Sequence, residues 1–244
     1  MPNSLTDHMA GVLLVHGYTS TPQSVDGLAA ALVGAGFDVD VPLLPGHGTT
    51  VEDLDRRRWG EWTAAVDEAW ANLAARHPRA VVAGLSMGGT LATWLAATRP
   101  PALAGLATLN PMIDPPAASF RELLRAFLAD GHMCLPGPAN DVSEPGAREV
   151  AYPLWPIEPM LSLFEAQDEL LGRLAQVTCP TLIVTSGHDH VVPPVSSDML
   201  AAGVTGPVER IVLERSFHLA TLDVERDVLE AAVVAFARRV CELA

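Results

Sequence analysis

A serine hydroxyl becomes a useful nucleophile only when a histidine can take its proton and a carboxylate can orient that histidine. Ser86 lies in Gly84-Leu85-Ser86-Met87-Gly88-Gly89, after the apolar run Ala80-Val81-Val82-Ala83 and before Thr90-Leu91-Ala92-Thr93-Trp94-Leu95-Ala96-Ala97. The short apolar run bounded by glycine reads as a buried strand, and the Ala/Leu-rich run reads as a helix. Between them, Gly84-x-Ser86-x-Gly88 is the pattern of an elbow that carries a serine on a tight strand-to-helix turn. Such a turn forces the serine backbone into an unfavourable region. It also brings strand and helix so close that side chains two residues before and after would clash, hence the glycines. The helix start beneath Ser86 supplies N–H groups and a positive dipole end, suited to a developing oxyanion. Asp189 and His218 each fall just after a predicted strand, where the chemistry of open α/β sheets is found. The chemistry indicated is covalent: attack by Ser86, with His218 as base and Asp189 as the acid that orients it.

Other groups compete for these roles. Asp114 follows the preceding strand and could reach the same histidine, but Asp189 sits in a Gly-x-Asp turn at a strand end and is preferred. His16 also follows a strand; because it precedes the serine in the chain, it is read as shaping the neighbouring loop. His47 lies in a glycine-rich loop and is read as structural. His8, His77 and His132 lie near the terminus or near turns and are read as solvated. His188 and His190 flank Asp189 with a spacing that a metal could use. No third ligand lies nearby in sequence, so no metal is expected.

A sheet must position these residues. Gly11–Val15 reads as its first strand, opening into His16-Gly17-Tyr18-Thr19-Ser20. Thr21 suits an N-cap and Pro22 the first position of a helix carrying Val25, Leu28, Ala29 and Leu32, stopped by Gly34 and Gly36. Residues 37–41 form a second strand, and Leu43-Leu44-Pro45-Gly46-His47-Gly48 a turn-rich loop. A helix through Trp62, Val66, Ala69, Trp70 and Leu73 ends at His77-Pro78. Leu103–Leu109 is another strand, closed by Asn110-Pro111. Strands over 180–185 and Val208–Leu213 follow, with a helix from near Pro194 between them. A final helix over about 224–240 is amphipathic through Val228, Leu229, Ala232 and Phe236. This alternation indicates a mostly parallel sheet of about six to seven strands, covered on both faces.

Between 111 and 176, prolines break up two apolar stripes: Phe120, Leu123, Leu124 and Phe127, then Met160, Leu163, Phe164, Leu170, Leu171 and Leu174. A linker would be more polar, so the insertion reads as a cap. A cap burying apolar faces above Ser86 gives a lipid-like chain somewhere dry to lie. Phe120, Phe127, Leu163 and Phe164 are therefore candidate substrate-binding residues, and 1–244 reads as one domain with a cap insertion. The formal net charge of −14 argues against nucleic acid and anionic membrane surfaces as partners, and favours a neutral small molecule. Cys134, Cys179 and Cys241 are odd in number and scattered, which fits reduced thiols in a cytoplasmic protein. Residues 1–8 lack the basic region of an export signal, and the apolar run 9–15 stops at His16-Gly17. No run approaches the roughly 20 apolar residues needed to span a bilayer.

Several segments together carry a resemblance. They are Leu14-Val15-His16-Gly17-Tyr18-Thr19-Ser20-Thr21-Pro22, Leu44-Pro45-Gly46-His47-Gly48-Thr49, Gly84-Leu85-Ser86-Met87-Gly88-Gly89-Thr90, Cys179-Pro180-Thr181-Leu182, His188-Asp189-His190-Val191-Val192-Pro193 and Ser216-Phe217-His218-Leu219-Ala220-Thr221-Leu222-Asp223. With them the chain resembles the α/β-hydrolase superfamily, and within it the small bacterial carboxylesterases and monoacylglycerol lipases. The resemblance implies that fold with a small cap, and Ser86, Asp189 and His218 as nucleophile, acid and base in that chain order. It implies an oxyanion hole at the backbone N–H groups of Tyr18 and Met87, and no metal or organic cofactor. It further implies hydrolysis of neutral short- to medium-chain carboxylic esters, monoacylglycerols included, through an acyl-enzyme. Acyl transfer or perhydrolysis with the same triad is the alternative within enzymes; a ligand-binding protein without catalysis is the alternative outside them. A first strand near residue 11 implies a sheet without the two leading strands of larger relatives. Residues 111–151 match the pattern weakly, so acyl-chain preference carries over least.

Overall fold

Alternating side chains decide how the central strands sit. In β1 (Gly11–Val15), Val12 and Leu14 join one apolar cluster while Leu13 and Val15 join the other. Strands apolar on both faces must be covered twice. The computed structural model describes residues 10–138 and 140–242; His8 and the rest of segment 1–8 lie outside the described residues. After β1 come α1 (Asp26–Gly34), β2 (Asp38–Asp40), α2 (Val51–Asp55), α3 (Trp59–Arg76), β3 (Ala80–Leu85), α4 (Met87–Ala97) and β4 (Leu103–Leu109). The cap follows as α5 (Ala118–Ala129), the antiparallel pair β5 (Cys134–Pro136) and β6 (Leu154–Pro156), and α6 (Ile157–Leu171). The chain closes with β7 (Thr181–Ser186), α7 (Val195–Gly203), β8 (Val208–Leu213) and α8 (Arg226–Cys241). Six strands form one parallel sheet in the order β2-β1-β3-β4-β7-β8. Helices α1 and α8 cover one face; α3, α4 and α7 cover the other, where α6 joins them. No helix among the described residues is long and apolar enough to cross a membrane.

The elbow rests on a close approach of three backbones. A Cβ at Gly84 would stand 2.1 Å from the Gly88 carbonyl oxygen, and one at Gly88 would stand 2.1 Å from the Val15 carbonyl oxygen. Gly84 is thus required by the first turn of α4, and Gly88 by the end of β1.

Three local expectations are corrected. The buried stripe of α8 runs through Leu229, Val233, Phe236, Ala237 and Val240, while Val228 is 53% exposed and Ala232 lies outside the core. The helix is seated by Phe236 and Val240 against Gly105, where a Cβ would lie 2.9 Å from the Phe236 ring, and that contact turns Val228 outward. Thr21 does not cap α1: its hydroxyl donates to the Val150 carbonyl in the cap (3.2 Å), and Pro22–Val25 forms a 3₁₀ turn instead. His77 is buried, not solvated, with Nε2 2.7 Å from Asp38 Oδ2, so it ties the end of α3 to β2. In addition, α2 and the β5–β6 pair arise in segments to which the sequence assigned no element.

Two glycine substitutions separate close packing from helix propensity. Gly88→Ala should destabilise the protein by at least ~3 kcal/mol or prevent folding, because rigid backbone leaves the methyl nowhere to go. Gly60→Ala, in α3 with nothing within 4 Å of the new Cβ, should stabilise by up to about 1 kcal/mol. Thermal melts check both; a chain of this size shifts roughly 2–4 °C per kcal/mol.

Candidate active site

Ser86 is held at φ 57°, ψ −120° and is 5% exposed. Its strain is over-determined by its bonds. Its N–H donates to the Leu109 carbonyl (2.9 Å), and its carbonyl accepts from Gly89, Thr90 and Met112 N–H groups. Thr19, in the loop after β1, and Asn110, at the end of β4, also have positive φ, 61° and 45°. With Ser86 they account for three of the six such non-glycine residues described, and strain of this kind concentrates at functional sites. Gly17 packs against Ser86: a Cβ there would sit 4.0 Å from its Oγ. The N–H of Met87 is the first of α4 and has no acceptor one turn back. The Tyr18 side chain fixes its own loop, donating to the Pro156 carbonyl (2.7 Å) and lying edge-on to Trp62 and Trp155.

The acid and base candidates meet. His218 Nδ1 is 2.7 Å from Asp189 Oδ2, with both side chains buried, Asp189 only 1% exposed. The other Asp189 oxygen accepts the N–H groups of Val191 and Val192, each at 2.8 Å. That leaves Oδ2 for the imidazole and fixes the proton on Nδ1, so Nε2 is the basic nitrogen. Ser86 and His218 line one narrow cleft with Gly17, Tyr18, Met112, Asp141, Glu149 and Trp155. Asp114 does not reach His218. It lines a neighbouring cavity, and its N–H donates to Ser196 Oγ (3.0 Å).

That second cavity, about 410 Å³, shares Tyr18, Met112, Pro138, Trp155 and Val191 with the cleft. Phe120, Leu163 and Phe164 are on its wall, as are Leu135 and Met160. Phe127 is on neither wall; it shares a side of α5 with Phe120 but lies two turns, about 10 Å, further along the axis, where it packs edge-on to His132 with ring centres 6.0 Å apart. A larger hollow of about 750 Å³ lies at the amino ends of β4, β7 and β8, away from Ser86.

Sequence reasoning missed four polar residues around the site. Asn110 and Asp141 hold the backbone of His218. Asp223 is fully buried and accepts from the N–H groups of Phe217, Ser143, Glu144 and Val224 and from the Ser143 hydroxyl. Burial alone would raise its pKa, but those donors outweigh it and hold the carboxyl below its ordinary value. Glu149 enters the cleft from the cap; burial raises its pKa, and the Ser20 hydroxyl opposes the shift. Asn110 had a local signal, an Asn at a strand end before proline. Asp141 and Glu149 had none, and Asp223 ended the segment 216–223 without a role of its own.

The parallel sheet with helices on both faces, and the glycine-flanked serine at the end of its third strand, make this an α/β-hydrolase fold. A family model described as serine aminopeptidase, S33, matches residues 6–140, and the chain belongs to that hydrolase family. It is 37% identical over 232 residues to a thermostable monoacylglycerol lipase of Bacillus sp., covering 93% of this chain and 90% of that protein. Among solved structures it is similar to one from work on the metagenome-derived lipolytic enzymes LipS and LipT, with TM-score 0.89 and 35% identity, covering 95% of this chain and 94% of that one. The Paleococcus ferrophilus monoacylglycerol lipase shares the fold at TM-score 0.77 and 18% identity, each chain covered to 94%. The protein is a serine ester hydrolase.

Two histidines beside the site predict how stability depends on pH. Burial lowers His16 from 6.5 to about 4 and His47 to about 3. His16 accepts the Leu44 N–H on Nε2 and donates from Nδ1 to the Gly17 carbonyl, so it is neutral and shapes the loop as read from sequence. His47 is buried against Trp62, Tyr18 and His16. The unfolded chain therefore protonates first as pH falls. Stability from the neutral pair is intact above pH 6.5 and is lost as pH drops toward 4 and below. At pH 5 each histidine should cost on the order of 1–2 kcal/mol relative to pH 7. Urea unfolding at pH 7, 6 and 5 checks this, with His47→Gln losing about half of the dependence.

Proposed function

We infer that this ester hydrolase cleaves neutral monoesters with one medium-length acyl chain, monoacylglycerols among them, through an acyl-enzyme. The carrying observation is the apolar cavity of about 410 Å³ that shares walls with the cleft holding Ser86 and His218. Its size is in the range of small-molecule sites, and similarity to a monoacylglycerol lipase and to a Bacillus subtilis carboxylesterase supports the substrate class. In this reading Ser86 Oγ attacks the ester carbonyl while His218 Nε2 takes its proton. The N–H groups of Tyr18 and Met87 receive the oxyanion. Collapse expels the alcohol, which leaves with the proton from His218. Water, deprotonated by His218 in turn, then releases the acid. Asp189 keeps the imidazole in the required tautomer throughout. Phe120, Leu163 and Phe164 line the path of the chain, and Glu149 supplies an acceptor for a hydroxyl of the departing polyol. The net charge of −14 leaves nucleic acid unsuited as a partner. Three free cysteines fit the cytoplasm, with 1–244 acting as one domain.

Turnover of p-nitrophenyl esters from two to sixteen carbons, and of monoacylglycerols, tests the reading. Ser86→Ala and Asp189→Asn should each lose about a thousandfold or more in kcat, whereas Asp114→Asn should stay within about threefold of wild type. Each methylene buried is worth about 0.8 kcal/mol, so kcat/KM should climb up to roughly fourfold per carbon until the cavity is full. Phe164→Ala should move that optimum. An acetate optimum that the variant leaves unmoved defeats the acyl-cavity assignment.

A further inference from the structure

His218 is held at more points than its imidazole. Its backbone N–H donates to Asp141 Oδ2 (2.9 Å), and its carbonyl accepts from Asn110 Nδ2 (2.7 Å). Each of these side chains also grips the loop that carries Asp189. Asn110 holds its start, accepting the Ser186 N–H on Oδ1 (2.7 Å) and reaching Ser186 Oγ (2.9 Å). Asp141 holds its end: Oδ2 accepts the His190 N–H (3.2 Å), and Oδ1 is 2.8 Å from His190 Nδ1. The acid loop is therefore bracketed onto the base from two sides, by the sheet through Asn110 and by the cap through Asp141.

The bracket is needed because the sheet ends too early. The last register pair of β7 and β8 is Ser186 with Leu213; Asp189 lies three residues beyond it and His218 five. No ladder bond reaches either one. Their mutual distance and angle must come from side chains that bond both loops, and a carboxylate accepting N–H groups makes the stronger kind of link. The cap segment that supplies Asp141 is itself fixed, since the Ser143 and Glu144 N–H groups end on the buried Asp223 carboxylate, which also takes the Phe217 N–H.

We propose that Asp141 is a positioning residue for catalysis, through which the cap, and not the sheet alone, sets the geometry between His218 and Asp189. The role rests on the reading of His218 as base. Small displacements of such a pair are costly: about 1 Å of misplacement can remove 10²-fold in rate.

The test is kcat and KM for a medium-chain p-nitrophenyl ester, expressed per Ser86 titrated with an organophosphonate, in Asp141→Ala, Asp141→Asn, Asp141→Glu and His218→Ala. Asp141→Ala should lose about 10²-fold in kcat with KM within about threefold. Asp141→Asn keeps an oxygen for both N–H groups and should recover to within about fivefold of wild type. Asp141→Glu keeps the charge but moves the carboxylate by a methylene, so it should fall with the alanine variant. If the alanine variant does not fold, the contrast between Asn and Glu decides. Wild-type kcat in the alanine or glutamate variant overturns the proposal, as does a loss confined to KM, which would make Asp141 a substrate contact. An active His218→Ala overturns the assignment of the base instead, and so marks a different failure.

Discussion

Three backbones meet at Gly84 and Gly88 with no room for a Cβ, since either methyl would come within 2.1 Å of a carbonyl oxygen. The rest of the carboxyl edge of the sheet depends on that approach. It presses the first turn of α4 against the end of β1, and the loop that follows β1 packs on Ser86 through Gly17. It also forces Ser86 to a positive φ, a cost that persists only because neighbours fix the residue on both sides. The hydroxyl is thereby presented at the tip of a turn and not along a helix.

The cap is part of this site, not a separate lid. On one side it grips the loop after β1: the Tyr152 N–H donates to the Thr19 carbonyl (3.1 Å), and Gln23 exchanges hydrogen bonds with Arg148 and Val150. On the other it is stitched to the loop of His218 through Asp141 and Asp223. Helix α5 is held differently. Leu124 is its one buried residue, Phe120 and Leu123 are substantially exposed, and the ion pairs of Arg121 with Asp168 and Arg125 with Glu165 lie at the surface.

Burial has opposite consequences for the ionisable groups around Ser86, and the difference lies in their donors and acceptors. Asp223 is as inaccessible as His16 or His47, yet it stays charged because backbone N–H groups and a hydroxyl surround both oxygens. His47 Nε2 has no partner among the described residues, and the imidazole sheds its proton instead. One side of the site thus uses a fixed negative charge as a structural node. The other packs two neutral imidazoles against aromatic rings beneath the loop of Tyr18.

Much of this was legible in the chain alone. Glycines two residues either side of Ser86, apolar runs of strand length and periodic helical stripes are local signals, because each follows from backbone geometry within a few residues. They sufficed for a mostly parallel sheet and for Ser86, Asp189 and His218 at strand ends. Local signals also have a fixed blind spot: a stripe shows that a helix has an apolar face, not what that face meets. Phe127 and Phe164 look alike in sequence, yet only Phe164 reaches the cavity, and α8 turned Val228 outward because its seat is the bare backbone at Gly105. Asp141 and Glu149 lay wholly beyond sequence reasoning, and Asp223 stood at the end of the segment 216–223 with no role of its own to read. They sit in irregular segments with no period to read, and Asp141 is separated by 77 residues from the backbone it holds. Whether a carboxylate is solvated, buried as a node or aimed into a cleft depends on which donors arrive from elsewhere in the chain, and only tertiary structure brings them there.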